Sequence, residues 1–211
     1  VLSALYPIHA KLSFGAEGKL VELHPIAIFE AQKPPAAGAA AAAAAEATLA
    51  PGVLRLDSGA DRRVFCRQKD KVTELGVNFS GADAASGTHM SRDTATRGGV
   101  ARAGFAVHPP YRGAPGVTWN EFRLALPAGQ PAALKFFTSL RDSSATEPAS
   151  DGTEFKVIAV DPSGAEKELF SRFSAGKAWE PGSVDLGAYA GQHIALRLWT
   201  GPGPKNNTTC D

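Results

Sequence analysis

The stretch FKVIAVDPSGAEKELFSRF, residues 155–173, decides the fold. It contains two short apolar runs on either side of Asp161-Pro162-Ser163-Gly164, residue types that favour a tight turn. In the first run Phe155, Val157 and Ala159 occupy every second position, which is the period of a strand with two different faces. The stretch therefore predicts two strands joined by a turn.

The same organisation extends over the C-terminal half of the chain. The apolar runs are Val100–Val107, Phe122–Leu126, Leu134–Leu140, Phe155–Val160, Glu168–Phe173, Ser183–Leu186 and Ile194–Thr200. They recur at roughly 8–12-residue spacing with turn-forming residues between them. No stretch of 10–15 residues with helical periodicity lies between them. This pattern favours an antiparallel sandwich or barrel over a sheet with crossover helices.

The main domain is predicted to begin near Pro51. Three early strands are expected at Val53–Leu56, Val64–Arg67 and Lys71–Phe79, followed by a long polar loop over Ser80–Thr96. The alternation of apolar and polar positions predicts a two-layer core. The residues expected in that core are Phe122, Leu124, Leu134, Phe136, Phe155, Val157, Leu196 and Leu198.

The N-terminal part of the chain divides differently. Residues 1–31 contain a predicted hairpin around Gly15–Gly18. We interpret them as the tail of a preceding domain or as an extra edge element of the main domain. Residues 32–50 are rich in proline and alanine and are expected to form a linker rather than a packed helix, because they offer no apolar stripe. Residues 51–211 form the predicted sandwich.

Composition excludes several kinds of function. The chain has 22 basic and 21 acidic residues, so its overall charge gives no reason to expect a nucleic acid partner. No apolar stretch approaches the ~18 residues of a membrane span. Nucleophile, metalloprotease, phosphate-loop and dinucleotide-binding motifs are all lacking, and the five histidines share no ligand spacing. The chain is therefore not expected to be an enzyme, although it can be attached to one.

Aromatic residues near proline-rich turns are the candidate ligand contacts. His108-Pro109-Pro110-Tyr111-Arg112-Gly113 should be a rigid loop, because proline fixes φ and restricts the preceding residue. A rigid loop that carries Tyr111 and Arg112 can stack on a sugar ring and hydrogen-bond its hydroxyls, with Trp119 nearby in a turn-rich stretch. The alternative is that the loop packs over an open end of the sandwich. For Trp199, core packing on a central strand is favoured over a role as an exposed stacking platform.

Weaker signals concern calcium and a disulfide. Asp142, Asp151 and Asp211 lie in predicted loops, and calcium prefers carboxylate and carbonyl oxygens, so these residues are the candidate calcium ligands. Cys66 and Cys210 are far apart in sequence, and a sandwich can bring its two ends together. Two free thiols and a Cys66–Cys210 bridge both remain open, and a bridge would imply an oxidising compartment.

The C-terminal half also resembles a known group of domains. The relevant stretches are His108-Pro-Pro-Tyr111, residues 122–127 and 134–142, Ser150-Asp-Gly-Thr-Glu-Phe-Lys-Val157, residues 184–192 and 196–198, and Asn206–Asp211. In this order they resemble galactose-binding-like jelly rolls, most nearly the NPCBM-type carbohydrate-binding domains attached to bacterial glycoside hydrolases. The resemblance covers residues 98–211. It implies a jelly-roll order of strands whose last strand is missing from this chain, and a non-catalytic module in a secreted or surface-attached protein.

Two functions are therefore expected to compete. The first is a carbohydrate-binding accessory module of a larger secreted, cell-surface or periplasmic protein, with a glycan as partner. The second is a structural module that associates with a neighbouring protein domain or with a second copy of itself. The balanced charge, the abundant alanine and the unexplained N-terminal segment fit the second function.

Overall fold

The computed structural model describes residues 7–14, 45–48, 52–141 and 150–207. Its strands, numbered in chain order, are β1 Pro7–Phe14, β2 Ala47–Thr48, β3 Val53–Arg55, β4 Arg63–Gln68, β5 Lys71–Val77, β6 Gly81–Ala82, β7 His89–Arg97, β8 Val100–His108, β9 Gly116–Ala125, β10 Ala132–Thr138, β11 Thr153–Val160, β12 Glu166–Ser174, β13 Glu180–Asp185 and β14 His193–Pro202. One short 3-10 turn, Gly187–Tyr189, is the helical element of the described residues.

The strands form two seven-stranded sheets. The first sheet has the order β13-β10-β1-β8-β7-β6, with β3 also paired to β1. The second sheet has the order β12-β11-β14-β9-β4-β5, with β2 also paired to β9. Neighbouring strands are antiparallel apart from the parallel contact of β2 with β9. The prediction of an all-β antiparallel sandwich is confirmed, and the jelly-roll order stays a prediction.

The core lies between the two sheets. All the residues predicted for it are buried, with exposures of 3% or less. Contacts between rings join the sheets directly, because Phe105 of β8 lies 6.0 Å from Phe122 of β9 and Phe136 of β10 lies 4.9 Å from Phe170 of β12. Since every second residue of β9, β11 and β14 points into this core, the residues between them point outward from the second sheet.

Each predicted run in the C-terminal half overlaps an observed strand, but the long polar loop over Ser80–Thr96 is wrong. Its second half belongs to β7, which pairs with β8 along its whole length. The strand is polar because it lies near the edge of the first sheet, where much of it meets solvent. The two strands are joined through Gly98 and Gly99, whose positive φ angles of 57° and 77° suit a tight hairpin turn.

The N-terminal strand β1 lies inside the first sheet. Pro7 and Ile8 pair with β8, and residues 9–14 pair with β10 on the other side. The predicted turn at Gly15–Gly18 and most of the alanine-rich segment lie outside the described residues. The division of the chain into three segments stays a prediction. Within the described part of the chain, no helix has the length and apolar character needed to cross a membrane.

Candidate functional site on the outer face of the second sheet

The outer face of the second sheet carries a row of aromatic side chains. Because Phe122 and Leu124 of β9 point into the core, Trp119 points outward. In the register of the sheet, Trp119 lies directly opposite Trp199 of β14 on one side and Phe65 of β4 on the other. Trp199, Trp119 and Phe65, here called the aromatic row, thus cross three neighbouring strands.

Phe65 and Trp119 of the aromatic row lie against each other, and the Trp199 ring packs on the neighbouring backbone. Phe65 and Trp119 are stacked, with centroids 5.3 Å apart and ring planes 14° apart. The Trp199 indole extends over Gly201, where an added Cβ would lie only 2.5 Å from the Trp199 Cη2 atom. A glycine at this position lets the indole lie down on the backbone. Trp199 and Phe65 remain partly exposed, whereas Trp119 between them is 7% exposed.

A row of charged side chains runs beside the aromatic row. Arg197 of β14, Glu121 of β9 and Arg63 of β4 are opposite one another in the same register, and we call them the ionic row. Arg197 Nε donates to Glu121 Oε2 at 2.8 Å, and Arg63 Nη1 lies 3.8 Å from Glu121 Oε1. Glu121 is only 7% exposed, so its carboxylate is held between two cations rather than by solvent.

The ionic row continues onto the edge strands. Arg63 also donates to Glu74 of β5 through Nε and Nη2, at 2.9 and 2.5 Å, and this hydrogen-bonded pair holds the pKa of the Glu74 carboxyl below its ordinary value. Arg197 also contacts Glu166 of β12. Burial alone would lower the pKa of Arg197, but the hydrogen bonds and charges of Glu121 and Glu166 outweigh burial and raise it. The Glu74 carboxylate and the Arg197 guanidinium therefore stay charged at ordinary pH.

Each ring of the aromatic row has a cation above it. The guanidinium carbon of Arg63 lies 4.8 Å from the Phe65 ring centre, and that of Arg197 lies 5.5 Å from the Trp119 ring centre. Lys156 of β11 completes the set, since its Nζ lies 5.3 Å from the Trp199 ring. Cations at these distances are attracted by the negative faces of the rings. The outcome is a cluster of aromatic rings and cations on the outer face of the second sheet, with the Trp199 and Phe65 rings partly exposed.

The loop predicted to bind ligand is tied to the rest of the protein. Tyr111 and Arg112 both donate their backbone N–H groups to Ser86 O, at 3.0 and 2.9 Å. The Arg112 side chain, although exposed, donates from Nη1 to Ala84 O at 2.7 Å. His108 is buried and its Nδ1 lies 2.6 Å from Pro109 O. These bonds make the loop rigid, as its prolines predict.

Tyr111 also uses its ring for packing. The ring meets His108 edge-on, with centroids 4.8 Å apart. It covers Gly87 so closely that a Cβ there would lie 2.6 Å from Tyr111 Cε1. The sequence predicts that Trp119 lies near this loop. In the structure it lies within β9, on the outer face of the second sheet. The structure thus separates the four sequence candidates into the loop group His108, Tyr111 and Arg112 and the aromatic row that contains Trp119.

The candidate metal and disulfide residues are only partly described. Asp142 and Asp211 lie outside the described residues, as does Cys210. Asp151 is partly buried and its enclosed Oδ1 finds no hydrogen-bond partner in the described ranges. No cluster of histidine, cysteine and acidic residues suited to a metal occurs among the residues that the structure covers. Cys66 is buried, and its Sγ lies 3.9 Å from Ser86 Oγ. The calcium site and the bridge stay predictions.

Sequence reasoning missed Phe65, Glu121, Arg63 and Lys156 as members of one surface. The outward polar and aromatic positions could be predicted within each strand. The sequence near each strand does not show which strands pair with each other. Comparison with known proteins found no family model, no curated protein and no solved structure that matches this chain. The surface must therefore be interpreted from its own chemistry.

Proposed function

We propose that this chain is a non-catalytic carbohydrate-binding module of a larger secreted or surface protein, and that it binds its glycan on the outer face of the second sheet. The observation that carries the proposal is the aromatic row. Trp199 and Phe65 offer partly exposed rings on the two strands that flank β9, and Trp119 of β9 lies between them. The resemblance to galactose-binding-like jelly rolls supports the same class of function.

The chemistry of the two rows suits a sugar. One face of a pyranose ring presents C–H groups that pack on an aromatic ring, and its rim presents hydroxyls that need hydrogen-bond partners. The aromatic row supplies the first contact. The carboxylates of Glu74 and Glu166 and the cations of Arg63, Arg197 and Lys156 supply acceptors and donors at its border. Because ion pairs already hold these groups in place, binding a sugar would freeze few additional rotamers.

In this proposal the roles of the sequence candidates change. Trp119 remains a ligand-site residue, but it acts mainly by supporting Trp199 and Phe65, since little of it is exposed. Tyr111, Arg112 and His108 stabilise the end of the sandwich through the contacts with Ser86, Ala84 and Gly87 described above.

A glycan array followed by isothermal titration tests the proposal. For the best glycan, Trp199→Ala should weaken affinity about tenfold or more, which corresponds to losing ~1.4 kcal/mol of stacking. Trp179→Ala is the matched control, because Trp179 lies outside the second sheet and donates its indole N–H to Val100 O at 2.9 Å. Equal affinity of the Trp199→Ala variant and the native chain would contradict the proposed surface.

The competing function, an assembly module, is favoured by a different observation. The second sheet ends in β5 and β12, and each edge strand exposes an apolar side chain, Val72 at 53% and Phe173 at 46%. Unprotected edges with apolar residues can pair with another chain. Light scattering across a range of protein concentrations separates the two functions. Self-association that is lost in Val72→Lys or Phe173→Lys would favour assembly.

A further inference from the structure

Arg62 carries a positive charge into the core of the sandwich. It is 1% exposed and precedes β4 on the inward side. Its Nε donates to Asn120 Oδ1 at 2.7 Å and its Nη2 donates to Phe79 O at 2.9 Å. The guanidinium carbon also lies 4.5 Å from the centre of the Phe105 ring. All three partners are neutral.

No described carboxylate forms an ion pair with Arg62. Its neighbour in sequence, Asp61, accepts a hydrogen bond from Asn78 Nδ2 at 2.7 Å. A buried cation without a counter-charge is costly, because the low-dielectric interior weakens its solvation. Consistent with this cost, burial and then the charge of Arg92 lower the pKa of Arg62 to about 9.

Arg92 brings a second cation to the same place. It lies on β7 directly opposite Phe105 of β8, so its side chain shares the face on which the Phe105 ring and Arg62 meet. Arg92 is exposed, and within the described ranges it too has no ion pair. The carboxylate of Asp93 cannot pair with these two arginines, because successive strand residues point to opposite sides of the sheet. Its Oδ1 instead accepts a hydrogen bond from Thr94 N at 2.7 Å.

We propose that Arg62 and Arg92 form a binding site for an oxyanion, a sulfate, phosphate or carboxylate group, beside the Phe105 ring. Arg62 would be the buried inner contact and Arg92 the exposed outer contact that meets the ligand from the solvent side. Arginine is suited to this role because its planar fork binds oxyanions through paired N–H groups. The ligand would neutralise two cations that now repel each other.

This inference does not depend on the proposed glycan function. The oxyanion would enter between the sheets near β7, whereas the aromatic row lies on the outer face of the second sheet. Either site can therefore fail without affecting a test of the other.

Urea unfolding in sodium sulfate, sodium phosphate or sodium acetate tests the site, with sodium chloride at matched ionic strength as the reference. We expect at least one of the three anions to raise the unfolding midpoint in a saturable manner. Arg92→Gln should weaken the apparent affinity for that anion about tenfold or abolish the effect, whereas Arg123→Gln, an exposed arginine of β9, should respond as the native chain does.

The choice among the anions identifies the ligand chemistry. A saturable effect of sulfate or phosphate points to a tetrahedral oxyanion, and an effect of acetate points to a carboxylate. Sulfate also stabilises proteins without binding a site, but that effect rises steadily with concentration and is the same in every variant. Responses that do not saturate, or that are equal in the native chain and in Arg92→Gln, would overturn the proposal. Arg92 is exposed, so its replacement should leave the fold intact.

Discussion

Replacing Gly87 by alanine should show whether Tyr111 is a structural residue. Gly87 has a φ of +76°, and an added Cβ would lie 2.6 Å from Tyr111 Cε1. Gly129 offers a matched control, because its φ is +70° and nothing lies within 4 Å of its added Cβ. The two substitutions share the cost of a left-handed backbone, and the clash with Tyr111 is added only at the buried Gly87.

The magnitudes follow from these two terms. A left-handed backbone costs an alanine about 1 kcal/mol, so Gly129→Ala should lower the free energy of unfolding by about that amount. Forcing an extra methyl group against a packed ring costs about 1–3 kcal/mol more. Gly87→Ala should therefore destabilise the protein by about 2–4 kcal/mol in total.

Urea unfolding followed by tryptophan fluorescence measures both variants. In the double variant Gly87→Ala with Tyr111→Ala the clash disappears, so the two substitutions should couple by about 1–3 kcal/mol. Equal destabilisation in Gly87→Ala and Gly129→Ala, with no coupling to Tyr111, would refute the placement of the tyrosine ring over Gly87.

Three further predictions concern the core, a histidine and the cysteines. Leu196→Ala should lower the free energy of unfolding by about 2–5 kcal/mol, because Leu196 is fully buried at the centre of the second sheet; a loss below 1 kcal/mol in urea unfolding would contradict that position. Burial lowers the pKa of His89 below its ordinary 6.5, so the unfolded chain binds a proton more readily than the folded chain. The free energy of unfolding should therefore fall as pH decreases through about 6.5, and urea unfolding of His89→Gln should show a smaller fall. Burial raises the pKa of the Cys66 thiol, so in a reduced native sample Cys66 should be alkylated slowly, and it should be alkylated rapidly only in urea. Non-reducing mass spectrometry shows whether Cys66 and Cys210 are joined, and two separately alkylated peptides would refute the bridge.

Local pattern was sufficient to predict most strands and the core. Phe155 and Val157 alternate with Lys156 and Ile158, and both are buried whereas their neighbours are partly exposed. The strand β7 was missed because its residues are polar, being near a sheet edge, and therefore lack the apolar alternation that marks a half-buried strand. The Gly98-Gly99 pair was the available signal, since two adjacent glycines favour a tight hairpin.

The candidate site could be predicted only in part, for a different physical reason. Trp119 and Trp199 are 80 positions apart, and they meet only because β9 pairs with β14 in one register. Phe65 joins them through a second pairing, between β9 and β4. A single sequence contains the outward positions of each strand but does not state which strands are neighbours. The rigidity of the loop at Tyr111 was predictable from its prolines, whereas its attachment to Ser86 was not.

The most direct test of the proposed surface is a two-dimensional nitrogen–proton spectrum of the three tryptophan indole groups, recorded during titration with the glycan selected on the array. Single tryptophan variants assign the signals of Trp119, Trp179 and Trp199. We expect the signals of Trp199 and Trp119 to shift together and to saturate with the same affinity, while Trp179 stays unchanged. A saturable shift confined to Trp179, or glycan binding with no shift at Trp199 and Trp119, would contradict a carbohydrate site on the outer face of the second sheet.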